Sequence, residues 1–165
     1  MTRIISERAR KTVLAVLVLL LAAVTIWSSL QNIELRKQVA LGGHSLRRGD
    51  YAPPFELRTL DGQLLGLKEF RGRQIIAIYF SPYCDQCEME AAMWRCFHEV
   101  SQTTGSLVIG VSDSDPKALG AFMQKHMLGF PVLLDTAQVF ARTYEVEATP
   151  TIIRIDSKGE LYDKY

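Results

Sequence analysis

The hydrophobic pattern changes character twice along the chain. Thr12 to Trp27 reads TVLAVLVLLLAAVTIW, without a charge. Ser28, Ser29 and Leu30 extend it to 19 residues. At about 1.5 Å per residue that length matches a bilayer core. A buried core helix of this length would keep a polar face. A cleaved signal would be shorter and end in a small-x-small site, which Trp27-Ser28-Ser29-Leu30 does not supply. The pattern predicts a transmembrane anchor over 12–30, after a short N-terminal segment 1–11. Leu30, Ile33, Val39 and Leu41 then form a ragged stripe that ends at Gly42-Gly43. Residues 31–45 read as a stalk or linker.

From residue 46 onward, strand and helix patterns alternate. Phe55 and Leu57, the Leu60-Asp61-Gly62 turn, and Gln63 to Leu67 predict a strand, a tight turn and a strand. Gln74 to Phe80 (QIIAIYF) is continuously apolar, as in a strand buried on both faces. Ser81-Pro82-Tyr83 breaks it. From Cys84 to about Ser101, Met89, Met93, Cys96, Phe97 and Val100 recur at helical spacing and predict the inner face of a helix. Leu107 to Val111 is a further strand. Asp115-Pro116 predicts an N-cap and first helical position, with Leu119, Phe122 and Met123 facing inward. Val132 to Leu134 is a short strand, and Asp135 or Thr136 caps a short helix carrying Val139, Phe140 and Tyr144. Thr151 to Ile155, a Ser157-Lys158-Gly159 turn and Glu160 to Tyr165 close the chain as two strands. The alternation predicts one α/β domain over 46–165, built around a central sheet.

Charge sharpens this division. Residues 1–11 carry four basic residues against Glu7, and residues 31–48 carry four against Glu34. Residues 49–165 hold 11 basic and 16 acidic residues, a net −5. A nucleic-acid-binding domain would need a basic folded face, so no nucleic-acid partner is expected. The heavier basic flank before the span predicts a cytoplasmic N-terminus and an extracytoplasmic domain. Disulfide chemistry is possible in that compartment.

Of three cysteines, Cys84 and Cys87 form a Cys-x-x-Cys pair directly after a buried strand and at the start of a helix. Such pairs serve metal binding or dithiol redox chemistry. A zinc site needs four ligands, and the local candidates are Cys96 and His98. Cys96 lies about 13 Å along the helix axis from Cys87, and the two candidates point about 200° apart. No tetrahedron closes, and no metal site is expected. Redox use fits the position, because free backbone N–H groups and the helix dipole favour a thiolate there. Cys84 is the expected nucleophile and Cys87 the resolving thiol. Asp85 opposes the thiolate. Met89, Met93 and Trp94 are expected in the core, Cys96 half-buried, and His44, His98 and His126 on the surface. No Gly-x-Gly-x-x-Gly occurs, so no nicotinamide or flavin cofactor is expected.

Several tracts together carry a family resemblance. They are Gly49-Asp50-Tyr51-Ala52-Pro53-Pro54-Phe55, the Leu60-Asp61-Gly62 turn, Phe70-Arg71-Gly72, Cys84-x-x-Cys87 and Ala148-Thr149-Pro150-Thr151 followed by Ile155-Asp156. With them, residues 46–165 resemble membrane-tethered thiol–disulfide oxidoreductases of the TlpA/ResA group, within the redoxin (alkyl hydroperoxide reductase/thiol-specific antioxidant) superfamily. The resemblance implies a thioredoxin-like fold, a central mixed sheet flanked by helices, here without a counterpart of the family's final helix after Tyr165. It implies that Thr149-Pro150 is the cis-proline loop that receives a partner's backbone. It implies that Glu90 is the active-site glutamate of the group, one turn after Cys87. Tyr83 stands where the family usually has Trp before the first cysteine, and joins Thr149 and Pro150 as an expected substrate contact. Ile78 replaces the buried acid of thioredoxin itself.

The resemblance further implies protein disulfide substrates, such as apocytochrome c or copper-site assembly proteins, and a membrane thiol-transfer protein as electron donor. The expected location is the cytoplasmic membrane, single-pass, with the domain in the periplasm. Two rival functions use the same residues. A thiol peroxidase would use Cys84 against peroxide, but its motif calls for Pro at position 77 and Thr or Ser at 81; Ala77 departs from it and Ser81 fits. A Cu(I) metallochaperone would use both thiols as soft ligands.

Overall fold

The computed structural model describes residues 46–165 and, before them, only Leu17, Leu20, Leu21, Ala22 and Thr25, each helical. The 1–11 segment, the 31–45 stalk and all but those five residues of the expected 12–30 anchor therefore lie outside the described residues. Among the described residues, no helix is long and apolar enough to cross a membrane.

Strand β3 (Ile75–Tyr79) is the axis of the domain. Its β-branched and aromatic residues suit a pleated, doubly buried position. It pairs in parallel with β4 (Leu107–Ser112) and antiparallel with β6 (Thr151–Ile155). Beyond β4 lie β5 (Val132–Leu134), β1 (Glu56–Thr59) and β2 (Leu64–Gly66), and beyond β6 lies β7 (Leu161–Lys164). The seven strands form one mixed sheet in the order β2-β1-β5-β4-β3-β6-β7. This is the expected thioredoxin-like arrangement. The expected second strand, Gln63 to Leu67, shortens to β2 because Leu67–Phe70 turns into a 3-10 helix.

The period-2 alternation of β3 divides two cores. Ile75, Ala77 and Tyr79 join one cluster, and Ile78 joins the other with Phe80, the residue just beyond the strand. On the first face, Tyr79 stacks on Phe140, and Phe140 on Tyr144, with centroids 6.3 and 4.3 Å apart. The Tyr144 hydroxyl donates to the Pro53 carbonyl at 2.7 Å, which ties the entry segment to this core. Phe140 and Tyr144 come from the short helix α3 (Val139–Thr143) and its C-cap. The N-cap is Gln138 rather than Asp135 or Thr136, but the buried Asp135 carboxylate reaches past it and accepts from the Phe140 and Ala141 N–H groups at 3.0 and 2.9 Å.

The second face is covered by α1 (Asp85–Thr104) and α2 (Pro116–Lys125). Helix α2 starts as expected, with the Asp115 carboxylate accepting from Ala118 N–H at 2.9 Å. Helix α1 ends at Gly105, whose left-handed φ of 74° lets its N–H reach Ser101 O. Phe80 lies 5.5 Å from Trp94 and 5.4 Å from Phe122, ring to ring. Gly110 makes room for this: a Cβ there would come within 2.8 Å of the Phe80 ring.

The inner face of α1 differs from the expected one. Cys87, Ala91, Trp94 and Ser101 are buried, whereas Met89, Met93 and Val100 are 70%, 42% and 53% exposed. Residues 89 and 91 stand about 200° apart on a helix, so the Met stripe is the outer face. Small Ala91 and Ser101 allow close approach to the sheet, and Trp94 fills the space between. Cys96 is exposed rather than half-buried. His98 and His126 are partly buried rather than on the surface. His98 packs edge-on against Phe130, and His126 lies 4.5 Å from the Phe122 ring.

Trp94 is fully buried and its indole N–H has no partner among the described residues, so its contribution is packing. Trp94→Ala should cost about 3–5 kcal/mol in urea unfolding. Met93→Ala should stay within about 0.5 kcal/mol, as for an exposed site. Equal losses would mean that the stripe assignment is reversed.

Candidate active site

Where β3 ends, Phe80 enters the second core and Ser81-Pro82-Tyr83 turns the chain. The Cys84 N–H closes that turn on Ser81 O at 3.3 Å. Cys84 is the N-cap of α1, in extended conformation, and Glu88 N–H begins the helix on its carbonyl at 3.1 Å. Its sulfur does what a capping oxygen does elsewhere: Cys84 Sγ accepts from Cys87 N–H at 3.3 Å.

A second segment closes on the same sulfur. The Thr149–Pro150 peptide bond is cis, and the Cys84 thiol donates to the Thr149 carbonyl at 3.3 Å. This loop leads straight into β6, the antiparallel neighbour of β3. The sheet register thus brings together two segments 65 residues apart in sequence. Cys84 is partly buried, Cys87 is completely buried, and both are free thiols.

The two environments separate the thiols chemically. Partial burial works against ionisation of Cys84. Hydrogen bonds from the Cys87 thiol, the Thr149 side chain and the backbone of Cys87 and Gln86 outweigh it, and lower its pKa. Burial is also the main influence on Cys87. With the neighbouring Cys84 it pushes that pKa up to about 12. One thiol is primed as a nucleophile and the other is held protonated.

The remaining expected residues fall around this centre. Tyr83 is 74% exposed beside Cys84, free for a partner to contact. Asp85 is exposed in the first turn. Glu90 is half-buried, and its carboxylate accepts from the Gln86 amide at 2.7 Å, along the helix from the thiols. Ile78 is fully buried in the same cluster as Cys87. Glu88, next to Cys87, pairs with Lys125 and with His126 Nε2 at 3.0 Å, linking the first turn of α1 to the end of α2. Both partners lower its pKa, Lys125 first. That link escaped the sequence reading, because it depends on how α1 and α2 pack. Tyr79 was read only as part of a strand, although a phenol ending a buried apolar run is itself a signal.

Residues 48–164 match the model of the AhpC/TSA family. The chain belongs to that family. It is 26% identical over 157 residues to the thioredoxin-like protein YneN of Bacillus subtilis, across 93% of this chain and 88% of that protein. It is 26% identical over 124 residues to the thiol-disulfide oxidoreductase ResA of the same organism, across 74% of this chain and 69% of ResA. Among solved structures, a putative thiol:disulfide interchange protein DsbE from Chlorobium tepidum superposes with a TM-score of 0.68 at 23% identity. That match covers 73% of this chain and 86% of the other. The resemblance to the ResA group read from the motifs is thereby supported, and so is the enzyme class of thiol–disulfide oxidoreductases.

The separation of the two thiols is directly measurable. In a Cys96→Ser background, reduced protein should be alkylated by iodoacetamide at Cys84 first. Its rate should level off below the pH of an ordinary thiol, because a lowered pKa brings the thiolate forward to lower pH. Cys87 should stay unmodified until strongly alkaline pH. Mass mapping that finds Cys87 modified first would contradict the assignment.

Proposed function

We propose that the protein is a membrane-tethered thiol–disulfide oxidoreductase that reduces disulfides of partner proteins outside the cytoplasm. The observation that carries the reading is the single sulfur of Cys84, capped by a helix N-terminus and facing the Thr149 carbonyl. The chemistry follows from the two environments. The Cys84 thiolate attacks one sulfur of the partner's disulfide. That S–S bond breaks, a Cys84–partner bond forms, and the leaving sulfur takes a proton. Cys87 then loses its proton and attacks Cys84 Sγ, releasing the partner's second sulfur as a thiol. Two electrons pass to the partner, and the Cys84–Cys87 dithiol becomes a disulfide. Thr149, Pro150 and the exposed Tyr83 are the surfaces on which the partner's backbone rests. Glu90 assists the proton transfers from its place one turn beyond Cys87.

Regeneration needs two electrons, and the sequence holds no nicotinamide or flavin motif. A membrane dithiol protein is the donor this reading requires. The uncharged 12–30 run and the basic flank before it support the tether and the extracytoplasmic orientation. Apocytochrome c and copper-site assembly proteins are the partner classes suggested by the family likeness.

The family name also covers peroxidases, so peroxide is the rival oxidant. Ala77 argues against it. This residue sits fully buried in the middle of β3, paired with Ile109 and Ile153, where a proline would remove a ladder hydrogen bond.

Cys87→Ser should accumulate a mixed disulfide with partner proteins, and Cys84→Ser should trap none. Equal trapping by Cys84→Ser would reverse the roles. The reduction potential should lie nearer thioredoxin's, about −270 mV, than the about −120 mV of a strong oxidant. A value above about −180 mV would mean oxidation or isomerisation instead. Glu90→Gln should slow exchange without unfolding the domain; an unchanged rate would reduce Glu90 to a surface partner of Gln86. Protease added to intact spheroplasts should digest the domain, and protection until lysis would remove the extracytoplasmic placement.

A further inference from the structure

Beside Thr149 opens a groove of about 460 Å³. It runs from Thr149 past Tyr79 to the start and end of α3, and three carboxylates border it: Asp113, Glu145 and Glu147. Arg142 is the one basic residue in its wall, and its guanidinium is tied back to the Ala137 carbonyl at 2.6 Å. Asp113 accepts from the Gln138 amide at 2.8 Å, and Lys164 approaches Glu145 at 3.9 Å. Glu147 is exposed, two residues before Thr149. The groove is therefore acidic, and it adjoins the active site through Thr149.

Tyr79 supplies the independent observation. It is only 4% exposed, it lines the groove, and no hydrogen bond reaches its hydroxyl among the described residues. Its ring is buried, while its hydroxyl oxygen opens to the groove. Burial, then the nearby Asp113 and Asp135 carboxylates, keep this phenol protonated well above the usual range. Its oxygen remains free to accept from a donor brought in from outside.

We propose that this groove binds a lysine or arginine side chain of the polypeptide substrate, close to the disulfide that Cys84 attacks. The inference rests on the oxidoreductase reading and adds a substrate class to it: protein disulfides flanked by a basic residue. The ammonium or guanidinium meets Asp113 and Glu147, and one of its N–H groups donates to the Tyr79 hydroxyl. Because the groove adjoins Thr149, the same contact aligns the disulfide with Cys84 Sγ.

The test uses the reduced full-length chain in detergent micelles. Three disulfide-bridged peptides, identical except for Lys, Gln or Glu beside one cysteine, are mixed with it. The rate at which the protein dithiol is oxidised is divided by each peptide's rate with dithiothreitol, which removes intrinsic differences in disulfide reactivity. At low salt the Lys peptide should exceed the Glu peptide about tenfold, the scale of two partly exposed charge pairs. The ratio should collapse at high ionic strength. Asp113→Asn with Glu147→Gln should bring it near one, and Tyr79→Phe, which keeps the ring, should lower it about threefold, as for one hydrogen bond. Glu99→Gln, far along α1, should leave it unchanged. If the Gln peptide reacts no faster than with dithiothreitol, the oxidoreductase reading falls and the groove assignment with it. If the Gln peptide reacts well but the ratio is near one, or persists in the double variant, only the groove assignment is overturned.

Discussion

Strand β3 is hydrogen-bonded on both edges and buried on both faces, and that constraint leaves it no freedom of register. A slip of one residue would move Ile78 and Phe80 out of one core and Ile75, Ala77 and Tyr79 out of the other. Since the chain leaves this strand only four residues before Cys84, the strand also fixes where the first thiol emerges. Its antiparallel partner β6 begins immediately after Pro150, so the same register sets the distance from that thiol to the Thr149 carbonyl. The site is held by backbone pairing more than by side-chain contacts around it.

Within that frame, two cysteines three residues apart receive opposite treatment. Cys84 stands outside the helix and gathers N–H groups; Cys87 stands on the first turn's inner side, beneath Trp94 and Ile78 in the same core cluster. Helix geometry starts the difference, because the N-cap faces the free amides whereas the residue one turn on faces the sheet, and the Thr149 side chain and the two thiols' effect on each other widen it. The nearby charges refine it. Glu88 is occupied by Lys125 and His126, so this carboxylate beside the pair is compensated.

Much of this was legible in the sequence, and for definite reasons. Continuous apolar runs such as 75–80 and 107–111 have no amphipathic ambiguity, and Asp115-Pro116 is a strong helix start. The role of α1's faces was not legible. Met89, Met93 and Val100 outrank Ala91 and Ser101 in hydropathy, yet the face of α1 toward the sheet is taken by Trp94 with the small Ala91 and Ser101 to either side. The partial burial of His98 and His126 depends on Phe130 and Phe122, which reach them only through tertiary packing. Tyr79 carried a readable signal, a polar tip on a buried strand, but its neighbours Asp113 and Gln138 come from separate loops. Their meeting is a property of the fold.

The raised pKa of Cys87 bears on time as well as on role. Burial keeps this thiol protonated at neutral pH. In the proposed exchange, once Cys84 has joined a partner, the same burial still favours the neutral thiol, and release waits for Cys87 to lose its proton inside the complex. The covalent complex then acquires a residence time set by the depth at which Cys87 is buried. A wrongly chosen partner without the contacts that help deprotonate Cys87 would be held rather than processed. Burial of a single sulfur would in this way act as a timer on the exchange, separate from the affinity that selects the partner.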